Sequence, residues 1–269
     1  MTNMYSPTSI EWTLERVKRR IETGVEITPQ VVDIGGGIIV KSGTTRVRQE
    51  AKTTEFVARS TNIRVPNIYA VLHDEEFGTS YIVEEKLPGV PLKEVLPHLD
   101  DATRTSLANE LKGVCRELEG LNDKGSMGNL GNPGKFLCSV FASPEIDDGP
   151  FHTTEEFIRS IPKALDKYVP SVTDIPALDV FDFNRSPVFS HGDLVPENIL
   201  VHNERISGII DWEHGGWYPY FWNDWVGRWR FRTQFRDGKW ERMVGVMTEA
   251  FPAEFQVFLR LHDLSQAYL

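Results

Sequence analysis

The stretch Ser190-His191-Gly192-Asp193-Leu194-Val195-Pro196-Glu197-Asn198-Ile199-Leu200-Val201, followed by Ile209-Ile210-Asp211-Trp212, limits the possible folds more than any other part of the chain. A carboxylate at Asp193, an amide five residues on at Asn198, and a second carboxylate thirteen beyond that at Asp211 each stand beside apolar residues. Those apolar runs read as short buried strands. The order is strand, loop, strand, strand: Val188 to Ser190, a loop over 191–198, Ile199 to Val201, and Ile206 to Ile210. A carboxylate on a loop between two buried strands is rigidly placed and still reaches a cleft.

The sequence before this stretch divides into a strand-rich part and a helical part. Ile10, Leu14, Val17 and Ile21 recur at spacings of four, three and four, which predicts an amphipathic helix over 8–22. Its polar face carries Arg16, Lys18, Arg19 and Arg20, but Glu11, Glu15 and Glu22 dilute the charge, as on a solvated face. Residues 25–41 read as two short strands around Ile34-Gly35-Gly36-Gly37, ending in Ile38-Ile39-Val40 before Lys41. Thr44 to Ser60 is expected to be helical. Ile63 to Leu72 and Thr79 to Leu87 form an expected strand pair, turning at Glu75-Glu76-Phe77-Gly78. Leu87-Pro88-Gly89 breaks the pattern and suggests an N-terminal part over 1–88 and a C-terminal part over 89–269. In the latter, Leu107, Leu111, Val114, Leu118 and Leu121 mark a long helix. A loop at 122–135 precedes a helix from Thr153 to Tyr168, and 221–268 reads as helices with a break at Pro252.

A chain of 269 residues and 30.6 kDa can form one large domain or two lobes around a cleft. No apolar run approaches the roughly 20 residues that span a bilayer, and the polar N-terminal segment lacks a secretory h-region. Cys115 and Cys138 are the only cysteines and form no CxxC pair, so neither a disulfide framework nor a zinc site is expected. A reducing, cytoplasmic setting follows. The net charge of −10 argues against nucleic acid or an anionic membrane as partner. It is compatible with a cationic small substrate, but solubility alone is the favoured reading, because net charge speaks to solubility and association rather than to a site.

Moving a phosphoryl group to an alcohol requires an in-line hydroxyl, a base that takes its proton late, and positive charge on the phosphate oxygens. Asp193 suits the base. Asn198 offers Mg²⁺ a neutral oxygen and Asp211 a charged one, and Mg²⁺ takes one or two such ligands besides phosphates and waters. Taken singly, Asp193 and Asp211 could be aspartates that cap turns after strands. The full pattern, with His191 two residues before Asp193, favours a catalytic set.

That set resembles the aminoglycoside phosphotransferase and choline-kinase group of protein-kinase-like enzymes, which carry HGD where protein kinases carry HRD. Ile-Asp-Trp-Glu at 210–213 and Gly-Trp-Tyr-Pro-Tyr-Phe-Trp at 216–222 are similar to fungal phosphotransferase-family members. The resemblance implies an α+β, two-lobed fold: a small N-terminal antiparallel-sheet lobe with one main helix, and a larger, mostly helical C-terminal lobe. It implies that Asp193 is the catalytic base, that Asn198 and Asp211 hold magnesium, and that His191 and Asp224 brace the catalytic loop. Lys41 is then the ATP lysine and Glu50 its helix partner. The carbonyl of Glu85 and the amide of Leu87 become the contacts to adenine. The implied cofactors are ATP, with GTP as the alternative, and Mg²⁺, and the implied partner is a small hydroxyl-bearing molecule, cationic or aromatic. A catalytically silent nucleotide-binding module is the competing reading, and the joint presence of Lys41, Asp193, Asn198 and Asp211 argues against it. The absence of DFG and APE motifs argues against a protein kinase.

Some positions depart from the pattern. Gly35-Gly36-Gly37 is not GxGxxG, so a phosphate-covering loop and a plain hairpin turn are both open. Glu84 stands where the resemblance expects a bulky apolar residue, and a carboxylate buried there needs a partner or a proton. Glu213 follows Asp211 by two, so on an extended strand end both would face one way; a surface position is the alternative. Six of the seven tryptophans lie within 212–240. The spacing of Phe221, Trp225 and Trp229 favours a helical core, while Trp217 and Tyr218 are candidates for an acceptor pocket.

Overall fold

Thr13 accepts a hydrogen bond from the Arg16 amide, and this cap starts the first helix, α1 (Leu14–Thr23), later than the apolar spacing predicts. The computed structural model describes residues 11–122, 127–130, 149–168, 174–233 and 238–268. Residues 8–10 of the expected helix, part of the loop at 122–135, and Cys138 lie outside these. Three strands follow where two were expected: β1 (Val25–Thr28), β2 (Val31–Asp33) and β3 (Ile38–Gly43). Pro29 divides the first expected strand, and β3 runs on through Lys41 instead of stopping before it. Helix α2 (Thr45–Ser60) leads to β4 (Ile68–Asp74) and β5 (Thr79–Glu85). β4 begins only beyond Pro66, which has no N–H to donate to the ladder with β5.

The chain continues through β6 (Val90–Pro91), α3 (Leu92–Val95), α4 (Asp101–Glu119), β7 (Gly128–Asn129), α5 (Thr154–Tyr168) and β8 (Val188–Ser190). It ends with β9 (Ile199–His202), β10 (Arg205–Ile209), β11 (Gly216–Tyr218), α6 (Trp222–Thr233), α7 (Lys239–Met247) and α8 (Pro252–Tyr268). Pro252 is the first residue of α8, where its missing N–H costs nothing. No described helix is long and apolar enough to cross a membrane.

Two compact units result. One runs to Val90 and includes Ile199–Glu213; the other comprises Pro91–Asn198 and the chain from His214 onward. In the first, the strands form an antiparallel sheet in the order β1-β2-β3-β5-β4. Side chains alternate across it. Ile38, Val40 and Val83 pack with Val17 of α1 on one face, and Ile82 packs with Val47 and Ala51 of α2 on the other. The β9–β10 hairpin joins this unit through the Ile209 amide, which donates to the Arg64 carbonyl, and the Ser207 hydroxyl, which donates to the Pro88 carbonyl.

The second unit is built on an aromatic core of Phe157 from α5, Phe221 just before α6, Trp222 and Trp225 from α6, and Phe258 from α8. This is the core reading of the tryptophan cluster, with Trp225 and Phe258 meeting edge to face at 4.9 Å. Along α4, Leu107, Leu111 and Leu118 are buried as expected, but Cys115 rather than Val114 fills the stripe between them. β7, β11 and β8 form a small sheet that sets Gly216 opposite Ser190.

Candidate active site

The candidate residues fall into one group in each unit. In the first, β3 carries Lys41 on the sheet face that α2 covers. Val47, Glu50, Ala51 and Thr54 recur at helical spacing and are all buried, so the face of α2 that packs on the sheet brings Glu50 to Lys41. The Lys41 Nζ lies 2.6 Å from Glu50 Oε2 and 2.6 Å from Asp211 Oδ1. Asp211 comes just after β10 with a φ of 65°, a left-handed conformation that Asp tolerates better than most residues. The buried Trp212 indole fixes this corner by donating to the Ile209 carbonyl at 3.0 Å.

One lysine thus serves two carboxylates, with Glu84 nearby as a third acid. Burial pushes Glu50 up, with Asp211 and Glu84 adding to the rise, while the Lys41 ammonium beside it pulls the other way and keeps the ion pair. Burial likewise raises Glu84 to about 7, again against the pull of Lys41. Burial alone would lower the Lys41 ammonium, but Glu50 and Asp211 outweigh it and hold the lysine above its ordinary value.

In the second unit, the loop after β8 holds Asp193 by its backbone. Its amide donates to Nδ1 of the fully buried His191 at 3.3 Å, and its carbonyl accepts from Asn198 Nδ2 at 2.9 Å. Gly192 has a φ of 82° and lies so close to the His214 carbonyl that a Cβ has no room. A buried network supports the loop from behind. The Gly192 amide donates to Ser190 Oγ at 3.1 Å, Ser190 Oγ donates to Asn223 Oδ1 at 2.6 Å, and Asn223 Nδ2 donates to Glu119 Oε1 at 3.1 Å.

Asn223 is therefore a loop-bracing residue that the sequence did not reveal. The expected brace, Asp224, instead accepts from Arg228, Thr248 and the Phe251 amide, which ties α6 to the α7–α8 junction. Consecutive residues on a helix point about 100° apart, so residue type alone could not say which one faces β8. Glu213 lies in a 3-10 turn over Trp212–His214, so the extended geometry assumed for it is not present. Trp217 and Tyr218 are buried: Trp217 meets Phe189 edge to face, and Tyr218 stacks on Trp222 at 4.7 Å while its hydroxyl donates to the His214 carbonyl. The Glu85 side chain is held by Arg64 and by Asn67 Nδ2, and Leu87 packs against Gly208. Gly35, Gly36 and Gly37 all have positive φ and form the turn between β2 and β3, closed by the Ile34 amide on the Ile38 carbonyl.

An antiparallel sheet with a lysine paired to its helix, and an HGD loop within a helical unit, define an α+β fold of the protein-kinase-like phosphotransferase class. The sequence matches the profile of the Phosphotransferase enzyme family over residues 39–240, and the chain belongs to that family. Comparison with curated proteins gives no match. Among solved structures, it is similar to APH(3'')-Id from Streptomyces rimosus ATCC10970 in complex with ADP and streptomycin, at 14% identity and TM-score 0.59, covering 94% of this chain and 96% of that one. It is also similar to a mutant of aminoglycoside 2'-phosphotransferase-IIIa in its GDP complex, at 14% identity and TM-score 0.59, covering 95% and 88%. A third similar structure is the GDP and kanamycin complex of APH(2")-IIIa, at 13% identity and TM-score 0.56, covering 93% and 87%. At these identities the likeness establishes the fold.

Proposed function

We propose that the chain is a small-molecule O-phosphotransferase that moves the γ-phosphoryl group of ATP to a hydroxyl of a small acceptor. The observation that carries this reading is Lys41, held by ion pairs of 2.6 Å to both Glu50 and Asp211. Glu50 fixes the ammonium on the sheet face, where it can bind phosphate oxygens. Asp193, with both its amide and its carbonyl held, presents a carboxylate that takes the acceptor's hydroxyl proton. Asn198 and Asp211 would hold Mg²⁺, and the donor set suits it. Asn198 commits its amide nitrogen to the Asp193 carbonyl and so turns its oxygen away, while Asp211 gives one oxygen to Lys41 and keeps a second. Mg²⁺ takes most of its ligands from phosphate and water, so one or two protein oxygens suffice. When bound, the ion neutralises charge on the phosphate oxygens.

The step from Asp211 to β11 and α6 takes only about ten residues, which favours a small acceptor over a protein substrate. The similar structures bind streptomycin and kanamycin. With a net charge of −10, a cationic hydroxylated acceptor suits this chain as well. The test is ADP release from ATP and Mg²⁺ over a panel of amino- and hydroxyl-bearing molecules, with acceptor-dependent release expected. Mg²⁺ with ATP should also raise the melting temperature, and Asp211→Ala should abolish that rise. No nucleotide-dependent rise in the wild type, together with no release on any acceptor, would overturn the reading.

A further inference from the structure

Glu84 is a buried acid that the chemistry above does not use. It is 6% exposed, and among the described residues no hydrogen bond or ion pair holds its carboxylate; Lys41 and Asp211 act on it through space. On β5 it stands opposite Ile39, two residues along from the Ile82–Lys41 pair. Glu84 and Lys41 therefore share one sheet face, about 7 Å apart along the strands. An apolar residue at this position would avoid the cost of burying an unpaired carboxylate. That cost is offset if a ligand lying along this face from Lys41 brings its own N–H donor.

We propose that Glu84 selects the purine base, accepting a hydrogen bond from the exocyclic amino group of adenine and repelling the carbonyl oxygen that guanine carries at the same ring position. This rests on the nucleotide reading above. An ionised carboxylate only accepts hydrogen bonds. The adenine amino group has two N–H bonds, one for the Glu85 carbonyl and one for Glu84. Guanine sets an oxygen against the carboxylate, and two acceptors facing each other away from water repel. A site that pairs a buried polar group with the correct ligand rejects the analogue that leaves it unpaired.

The experiment is calorimetric titration of the full chain with ADP and with GDP, each with Mg²⁺. It is run at about pH 8, above the value near 7 to which burial raises Glu84. ADP should bind about tenfold or more tightly than GDP. Glu84→Gln offers both an N–H and an oxygen and should bring the two within about threefold, mainly by tightening GDP. Glu84→Met removes the acceptor and should weaken ADP binding. An unchanged ADP-to-GDP ratio in both variants, or tighter GDP binding by the wild type, overturns the proposal. Binding of neither nucleotide by the wild type overturns the phosphotransferase reading and this inference with it. Both variants remove a buried charge, so unliganded melting temperatures at or above the wild type would confirm folding.

Discussion

The two groups of candidate residues are held by different physics. On the sheet, Lys41 is joined to Glu50 and Asp211 by ion pairs, with Glu50 almost wholly buried. In the loop after β8, Asp193 is held through its backbone by His191 and Asn198, backed by the network from Glu119 through Asn223 and Ser190 to Gly192. Buried ion pairs are weak stabilisers because desolvation cancels much of their attraction. Keeping several acids around one lysine therefore makes more sense as a binding device, in which anionic phosphates compete for the ammonium. Backbone hydrogen bonds fix a geometry at smaller electrostatic cost, which suits a group whose position decides a rate.

If the contrast is sound, changing one group should leave the other's readout alone. The largest effect is expected in the loop. Asp193→Asn should lower turnover by about 10²–10⁴-fold while nucleotide affinity, followed by calorimetry, stays near the wild type. An equal loss in both would break the separation. On the sheet, Lys41→Met would leave Glu50 buried without its cation and lower the unfolding free energy by about 3 kcal/mol. A denaturation midpoint measures this, and Lys41→Met combined with Glu50→Gln should recover part of the loss. A neutral single variant would mean that the ion pair does not hold Glu50.

Much of this contrast was legible in the sequence, and the exceptions have physical causes. The spacing from Asp193 to Asn198 to Asp211 and the apolar strands around it set out the loop and the β9–β10 hairpin. The helix expected over Thr44 to Ser60 is α2, though its buried face was visible only in the structure. The division of the first expected strand into β1 and β2 escaped because Val25 and Ile27 alternate with polar residues just as in one continuous strand. The bracing role of Asn223 escaped because an uncharged side chain on a helix of tryptophans carries no chemical signal until its neighbours are known. For Glu84 the sequence raised the need for a partner, but only the structure could show that none of the described residues holds its carboxylate by a hydrogen bond or ion pair.

The sheet–loop contrast can be sharpened by weaker perturbations. Asn223→Ala would leave the Ser190 and Glu119 groups without their shared partner. About 2 kcal/mol of stability should be lost, with a drop in kcat and little change in nucleotide KM; an unchanged kcat would make the network purely structural. The sheet group should respond to pH instead. Burial pushes Glu84 up to about 7 in the folded chain, against an ordinary value of 4.5. Between these limits the folded state holds more protons than the unfolded one, so stability falls as pH rises from 4.5 towards 7 and then levels off. Melting temperatures across this range should show the fall, roughly 3 kcal/mol, and Glu84→Gln should flatten it. A flat profile over the same range would mean that Lys41 keeps Glu84 ionised.

The smallest effect is expected at the glycine turn, where it decides between two readings. Gly36 has a φ of 70°, and a Cβ there would meet nothing within 4 Å. Alanine pays about 1–2 kcal/mol for the left-handed conformation and regains about 0.4–1 kcal/mol by restricting the unfolded chain. The net loss should be roughly 0.5–1 kcal/mol. If the turn only joins β2 to β3, nucleotide affinity in Gly36→Ala should match the wild type. If its backbone covers the phosphates, a methyl group at its tip would weaken nucleotide binding without a matching loss of stability. Phosphate binding would then extend from Lys41 to the turn preceding its strand, and the charged group on the sheet would gain neutral backbone donors like those that hold the loop.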